Sequence, residues 1–221
     1  MNDNVKFQEK FYNSREYGDS IKIDTRVKAV LKMMPNGKGK LKLLDIGCSD
    51  GKISKLFSER GYNVYGVDIS VKALKKAKER GIKVIRADIT KRLPFRDAKF
   101  DVVFCGEVLE HVLDSMSLLK EIYRVLKPHG NFILTVPNIC MLKNVFLILA
   151  GSFPCYACIY NGPHVRDYNK KIIVEMLNET GFRNIKVRGD RMSIPYAPQK
   201  DISLPPIIPR FCDYLVMRCE K

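Results

Sequence analysis

"LLDIGCSDGKISKLF", residues 43–57, is the stretch that decides the fold. Its apolar start predicts a buried strand, its glycines predict a tight turn, and the apolar spacing that follows predicts a helix. The letters fit two motifs of different chemistry. Residues 47–51 match the G-x-S-x-G elbow of serine hydrolases, whereas a strand that ends in an acid and a glycine-rich turn is typical of nucleotide-cofactor loops.

The position of this loop in the chain argues against the hydrolase reading. A nucleophile elbow lies well inside a sheet, and an earlier strand supplies the loop that donates to the oxyanion. Only helical segments and the basic turn "PNGKGK" precede Leu43, so the loop follows the first strand. The dinucleotide motif G-x-G-x-x-G also fits poorly, because Ser49 and Lys52 stand at its second and third glycine positions. We therefore interpret Ser49 as a turn residue.

Apolar strands alternate with amphipathic helices through the rest of the chain. This alternation predicts right-handed βαβ crossovers and a doubly wound, mostly parallel sheet of the α/β class. Helical spacing of apolar residues before residue 40 predicts N-terminal helices that cover the sheet. The seven predicted strands are residues 42–47, 63–69, 83–89, 100–106, 131–137, 184–189 and 211–219.

Composition limits the class of protein. The 221 residues are 46% apolar, which suits one domain with a substantial core, and no stretch reaches the roughly 18 uninterrupted apolar residues of a membrane span. Seven cysteines, an odd number, suit reduced thiols, and we expect a cytoplasmic protein. The net charge of +15 favours polyanionic partners such as RNA, although a lysine-rich solvated surface would give the same charge.

Three acids stand at the ends of successive predicted strands. Asp45 ends the first strand, Asp68 the second and Asp88 the third. The carboxyl ends of parallel strands meet at one edge of a sheet, so we expect these carboxylates to line one crevice. Such a crevice would repel a pyrophosphate, and it would favour a cofactor that carries ribose hydroxyls and positive charge instead.

These stretches together resemble a known family. "LLDIGCSDG", "VYGVDIS", "IRADI", "FDVVFCGEVLEHV" and "IYRVLKPHGNFILTVPN" are similar to the class I S-adenosylmethionine-dependent methyltransferases, in particular to the broad group that contains quinone-biosynthesis and sugar-cluster methyltransferases. The similarity is clearest over residues 40–138. It implies a single domain with a helical cap (1–40), a cofactor-binding core (41–138), a lid insert on the substrate side (139–168) and a C-terminal helix with strands (169–221).

The resemblance also implies roles for individual residues. The turn would hold the methionine end of the cofactor, the second strand its ribose, the third its adenine, and the end of the fourth strand would lie near the reactive methyl. The residues concerned are Asp45, Gly47, Cys48 and Gly51 for methionine, Asp68 and Ile69 for ribose and adenine, Asp88 and Ile89 for adenine, and Cys105 and Glu107 near the methyl.

Histidine and glutamate side chains offer a catalytic base and a metal site. In "GEVLEHV", a helix would place Glu107, Glu110 and His111 on one face, and His164 follows beyond the insert. Two carboxylates and imidazoles suit a divalent metal, and His111 and His164 are candidate catalytic residues. The set resembles that of RNA 2′-O-methyltransferases, although the same letters occur in the wider family without a metal.

Three functions remain open from the sequence. The first is methyl transfer to a hydroxyl of a small apolar, quinone-like or sugar- or lipid-like acceptor. The insert favours it, because its apolar side chains are expected to line a pocket; these are Phe146, Leu147, Phe153, Tyr156 and Tyr160. The second is a metal-dependent RNA 2′-O-methyltransferase, and the third a scaffold that binds the cofactor without catalysis. The sequence indicates no oligomeric state.

Overall fold

The computed structural model describes residues 3–14, 23–36, 41–155, 164–197 and 200–221. Seven strands form the main sheet: β1 Lys42–Ile46, β2 Asn63–Asp68, β3 Lys83–Arg86, β4 Phe100–Gly106, β5 Leu126–Pro137, β6 Arg183–Gly189 and β9 Tyr214–Glu220. A separate hairpin consists of β7 Met192–Ala197 and β8 Lys200–Leu204. The helices are α1 Asp3–Asn13, α2 Thr25–Met33, α3 Lys52–Glu59, α4 Val71–Glu79, α5 Ser115–Val125, α6 Leu142–Leu149 and α7 Lys170–Thr180.

The strand order of the main sheet is β3-β2-β1-β4-β5-β9-β6. The first five strands are parallel, and β9 runs antiparallel between β5 and β6. The predicted doubly wound, mostly parallel seven-stranded sheet is therefore confirmed. The chain moves outward from β1 in both directions, so a topological switch point lies between β1 and β4, and ligands of such sheets bind beyond the carboxyl ends of the strands at that point.

The core lies on both faces of the central strands. Leu43 and Leu44 of β1 point to opposite faces and are fully buried, as the period of two in a strand requires. The face that contains Leu43 is covered partly by α2, whose Val30 and Met33 are buried against it. Because β1 is buried on both faces, its end is held rigidly at the switch point.

Capping residues in the sequence fix both ends of α4. Ser70 accepts a hydrogen bond from the backbone N–H of Ala73 at 3.1 Å and so caps α4, and serine is one of the residues that favour this position. Gly81 follows the end of α4 with a φ of +82°, a conformation that favours glycine. The cap at Ser70 also fixes the direction in which the chain leaves β2, immediately after Asp68.

The hairpin β7–β8 was not predicted from the sequence. Pro195 lies inside β7, and proline within an apolar run argues against a strand because it donates no ladder hydrogen bond. The hairpin stands apart from the main sheet, where a strand can tolerate proline, and α6 packs against it. Within the described ranges, no helix has the length and apolar character needed to cross a bilayer.

Candidate functional site

The turn between β1 and α3 doubles back sharply at the switch point. The backbone N–H groups of Gly47 and Cys48 both donate to the carbonyl oxygen of Val67, at 2.8 and 3.0 Å. Gly47, Ser49 and Gly51 adopt φ values of +69°, +48° and +77°. These left-handed conformations turn the backbone between the end of β1 and the start of α3, beside the end of β2.

Neither glycine of this turn has room for a side chain. A Cβ on Gly47 would lie 2.4 Å from Cγ2 of Val108, and a Cβ on Gly51 would lie 2.9 Å from the backbone Cα of Ala77 in α4. A cofactor that approaches the backbone of this turn would by itself exclude side chains at these two positions. The structure adds a second reason, which is close packing of the turn against the protein itself.

Ser49 has a positive φ, which costs a residue with a Cβ about 1–2 kcal/mol. We expect Ser49→Gly to retain cofactor binding and to keep or slightly raise the free energy of unfolding, by about 1 kcal/mol at most, because the more flexible unfolded chain offsets part of the gain. Ser49→Ala should cost little. Thermal denaturation and calorimetric cofactor titration check both variants. Loss of all activity in both would restore the nucleophile hypothesis.

Asp68 ends β2 and faces this turn. Its Oδ2 accepts a hydrogen bond from the N–H of Ser49 at 2.9 Å, and its Oδ1 accepts one from the N–H of Ser70 at 2.8 Å. Burial raises the pKa of this carboxyl, and the two backbone donors oppose that rise. Each oxygen has further acceptor capacity, so the carboxylate is held in one orientation and can still accept from a pair of hydroxyls.

Asp88 lies two residues beyond β3, and its two oxygens differ. Oδ1 accepts from the backbone N–H of Thr90 at 3.0 Å and from its hydroxyl at 2.7 Å. Oδ2 is buried and has no hydrogen-bond partner in the described part of the chain. A buried acceptor without a donor is costly, which indicates a position where a ligand donor would fit. Ile69 and Ile89, which follow Asp68 and Asp88, are both half-buried.

Asp45 lies inside β1 and is 2% exposed. Burial raises the pKa of its carboxyl to about 7; the hydrogen bond donated by Ser54 opposes this rise and the charge of Asp68 adds to it. The carboxylate anchors Ser54 in α3, and that contact accounts for its position.

The pKa of Asp45 gives a pH dependence with a definite sign. Below about pH 4 the carboxyl is protonated in both states, whereas between about pH 4 and pH 7 only the unfolded state releases the proton easily, so stability falls as pH rises. We expect Asp45→Asn to gain stability relative to the parent as pH rises, by up to about 4 kcal/mol near pH 8. Chemical denaturation of the cofactor-free protein at several pH values measures this. A difference that stays constant with pH would contradict it.

The two cysteines predicted near the cofactor are buried. Cys48 is 6% exposed and Cys105 is fully buried in β4. Burial, with nearby carboxylates adding to it, raises the pKa of both thiols well above the usual range. They remain protonated at neutral pH, so they serve as packing groups and not as nucleophiles.

Glu107 follows β4 in a left-handed conformation, with a φ of +56°. The hydroxyl of Thr135 donates to its Oε1 at 2.7 Å, and the guanidinium of Arg26 lies 3.6 Å from the same oxygen. Burial raises the pKa of Glu107 to about 7, and the charge of Arg26 opposes this rise. Glu107 thus faces α2 and β5.

Arg26 was missed by the sequence reasoning. It comes from α2, lies 5.3 Å from the ring centroid of Tyr214, and brings a cation to a crevice lined by carboxylates. The sequence contains 39 Lys and Arg residues spread along its length, so composition does not distinguish Arg26 from the others. Thr25 next to it donates to Asp190 at 3.1 Å, so two successive residues tie α2 to the carboxyl edge of the sheet.

The segment after Glu107 is one turn of 3-10 helix, Leu109–His111, and not the α-helix that would place all three acid and imidazole groups on one face. The ligand atoms of Glu110, His111 and His164 lie within 4.8 Å of one another. The two imidazole rings meet edge to face with centroids 4.9 Å apart. Glu107 lies outside this cluster, so the predicted four-residue metal set reduces to three in the structure.

Glu110 is the unusual member of the cluster. Its side chain is 1% exposed, and within the described ranges neither carboxylate oxygen has a hydrogen-bond partner. Burial and the charge of Glu107 raise its pKa well above the usual range. Its backbone carbonyl accepts from the N–H groups of Val165 and Arg166, at 2.8 and 3.2 Å, and this places His164 beside it. A small pocket opens here, lined by Glu110, Pro137, Ile139, His164, Arg166, Asp167 and Tyr168.

A sheet of this order, with an acid-lined crevice at its switch point, defines the class of α/β proteins that bind a nucleotide-like cofactor. Comparison with known proteins narrows the class. Residues 44–134 match the family described as "Methyltransferase domain". The chain is 31% identical over 166 residues to the ubiquinone biosynthesis O-methyltransferase of Histophilus somni, covering 70% of this chain and 68% of that protein.

Solved structures agree with the sequence comparison. A methyltransferase of Thermotoga maritima superimposes with a TM-score of 0.67 at 19% identity, over 89% of this chain and 88% of that one. Phosphoethanolamine N-methyltransferase 2 of Haemonchus contortus, solved in complex with S-adenosyl-L-methionine, gives 0.61 at 25% identity, over 83% of this chain and 42% of that one. The chain belongs to the class I S-adenosylmethionine-dependent methyltransferases. It is an enzyme, and S-adenosylmethionine is its cofactor.

Proposed function

We propose that this enzyme transfers the methyl group of S-adenosylmethionine to a hydroxyl of a small apolar, quinone-like or sugar- or lipid-like acceptor. The observation that carries the proposal is the buried carboxyl group of Glu110, which has no hydrogen-bond partner in the described ranges and lies beside His111 and His164, just beyond β4. Groups of this kind can take a proton from a hydroxyl. Relatives named for ubiquinone biosynthesis O-methylation support an apolar hydroxyl acceptor.

The cofactor would lie along the carboxyl edge from β4 to β3. Asp68 would accept from both ribose hydroxyls, and the unpartnered oxygen of Asp88 would accept from the adenine amino group. Arg26 would pair with the methionine carboxylate, because it brings a cation among acids. The remaining cofactor contacts would come from Asp45, Gly47, Cys48, Gly51, Ile69, Ile89, Cys105 and Glu107. Most of these residues belong to the proposed cofactor-binding core, 41–138, and Arg26 comes from the proposed cap, 1–40. Residues 139–168 would form the insert, and residues 169–221 the closing helix and strands.

Glu110, His111 and His164 would also hold a divalent metal. One carboxylate and two imidazoles are a fitting donor set, and a cation would satisfy the oxygens of Glu110, which accept no hydrogen bond in the described ranges. A bound metal would supply Lewis acidity that lowers the pKa of an acceptor hydroxyl. Without a metal, the neutral imidazole of His164 or His111 would accept the hydroxyl proton, while the acceptor oxygen displaces the sulfur from the methyl group in line and S-adenosylhomocysteine leaves.

A second function, RNA 2′-O-methylation, is favoured by the net charge of +15 together with the same three metal-ligand candidates. The scaffold alternative requires that no acceptor is ever methylated. We also infer a reducing compartment such as the cytoplasm, because the cysteines in the described ranges are free thiols: Cys48, Cys105, Cys140, Cys155, Cys212 and Cys219.

Isotope labelling tests the proposed reaction. Purified enzyme is incubated with deuterated S-adenosylmethionine and either a lipid extract, total RNA or a panel of alkylated catechols, with Mg²⁺ or with EDTA. We expect label in an apolar hydroxyl compound by mass spectrometry, and we expect EDTA to reduce it. Label in RNA alone would replace the acceptor with RNA, and cofactor binding without label in any pool would leave only the scaffold function.

A further inference from the structure

Three of the five insert side chains that were expected to line an apolar pocket, Phe146, Leu147 and Phe153, are not among the residues that line the pocket at Glu110. Phe146 is 44% exposed and Phe153 is 79% exposed, and Leu147 is half-buried. Tyr156 and Tyr160 lie outside the described residues. The apolar character of the insert is therefore turned outward, which calls for a different explanation.

The outward-facing apolar side chains are concentrated on two segments. Six of the twelve large apolar residues that are exposed in the described part belong to α6 with the turn after it and to the segment after β8. We call this set the apolar rim: Phe146, Ile148, Leu149, Phe153, Ile207 and Ile208. Ile148, Leu149 and Ile207 are 58%, 79% and 73% exposed. Concentrated apolar exposure of this kind marks an interaction surface.

The two segments of the apolar rim belong to the same edge of the fold. The side-chain amide of Asn138, just after β5, donates to the carbonyl oxygens of Arg210 and Cys212, both at 2.8 Å. This ties the start of the insert to the segment that follows Ile208. Ile139 lines the pocket beside Glu110 and His164, and its carbonyl oxygen accepts from the side-chain amide of Asn144 at 2.9 Å, so α6 is tied to a residue of the pocket wall.

Charge distinguishes between the candidate occupants of the apolar rim. Residues 139–155 and 203–212 contain no Asp or Glu, and their charged residues are Lys143 and Arg210. The whole chain carries +15, so a second copy would bring like charge against like charge. An anionic surface that also accepts apolar side chains meets both features, and a bilayer with anionic lipids is such a surface.

The length of α6 fits a helix that lies on a bilayer. It has 8 residues, about 12 Å of helix, whereas the hydrocarbon core is roughly 30 Å thick. Its exposed side chains could enter only the boundary between headgroups and acyl chains.

We propose that the apolar rim docks this enzyme onto the surface of a bilayer that contains anionic lipids. Phe146, Leu149 and Phe153 enter the headgroup boundary, and the basic charge of the chain holds the protein at the surface. Docking places the pocket at Glu110 and His164 beside the membrane, where an apolar acceptor would be found. The docking itself does not depend on the identity of the acceptor.

Vesicle sedimentation tests the proposal. The full-length protein is mixed with vesicles of phosphatidylcholine, alone or with phosphatidylglycerol, at low and high salt. We expect binding to the anionic vesicles, and Leu149→Asp and Phe153→Asp should each lower the partition by about tenfold. Ile85→Asp is the matched control, because Ile85 is 37% exposed on β3 at the far edge of the sheet, and it should bind like the parent.

The outcomes separate docking from its rivals. No binding, or equal binding by Leu149→Asp and Ile85→Asp, would overturn the proposal, the second because charge alone would then explain the adsorption. A doubled mass by light scattering that Leu149→Asp returns to the monomer would overturn it in favour of a second copy. Calorimetric cofactor titration of every variant shows that it is folded, and methyl transfer to a water-soluble catechol tests the proposed function separately from docking.

Discussion

Replacing Asp68 by alanine is expected to weaken the binding of S-adenosylmethionine by at least about 100-fold. The substitution removes the proposed acceptor of both ribose hydroxyls, and charge-assisted hydrogen bonds of this kind contribute about 1.5–3 kcal/mol each. It also leaves the N–H groups of Ser49 and Ser70 without the acceptor that positions the turn. Isothermal titration calorimetry at neutral pH measures the effect.

A matched control separates this effect from a loss of negative charge. Asp97 has a side chain that is 68% exposed and pairs with Arg124, and it lies just before the amino end of β4, at the opposite edge of the sheet from the crevice. Asp97→Ala should bind the cofactor like the parent. If Asp68→Ala retained the parent affinity while thermal denaturation showed it folded, the ribose position assigned to β2 would be wrong.

Replacing Glu110 by glutamine is expected to lower the rate of methyl transfer by about 10²–10³-fold and leave cofactor affinity within about twofold of the parent. The change keeps the shape of the side chain but removes the charge that a metal or a protonated imidazole would meet. His164→Ala should behave in the same way. Single-turnover kinetics with saturating cofactor and Mg²⁺ measures the rate of the chemical step.

Glu107 provides the informative comparison for Glu110. The sequence assigned both glutamates to the metal, whereas the structure directs Glu107 toward Arg26 and Thr135 and leaves Glu110 with the two histidines. We therefore expect Glu110→Gln to lower metal affinity by tenfold or more, and Glu107→Gln to change it by less than about twofold. Equal losses in a metal titration would return Glu107 to the ligand set.

The sheet could be predicted because its strands are buried on both faces and bounded by glycine or helix signals. The full length of β4 was predicted, and the places of Asp68 at the end of β2 and of Asp88 just beyond β3 followed from where parallel strands end. The hairpin β7–β8 could not be predicted, because Pro195 argues against a strand and the segment shows no clear alternation of apolar and polar residues. The local sequence pattern therefore predicts the buried strands of the main sheet better than the separate hairpin.

The candidate site was less predictable for two physical reasons. A positive φ at a residue other than glycine, such as Glu107, has no signature in the sequence. The predicted helix therefore included Glu107 and placed its side chain on the same face as Glu110 and His111, which is not where the structure has it. In addition, the hydrophobicity of a residue does not show whether its side chain faces the core or the solvent. The side chains of Phe146 and Phe153 face the solvent. Arg26 reaches the site from α2, far away in sequence, through the tertiary fold.

Transfer of a labelled methyl group from S-adenosylmethionine to an alkylated catechol, with Mg²⁺ present, tests the central claim most directly. We expect a mono-O-methylated product with the parent enzyme, and a large loss of that product with either Asp68→Ala or Glu110→Gln. Full product formation by Glu110→Gln, or no O-methylated product from any hydroxyl acceptor with a parent enzyme that binds the cofactor, would contradict it.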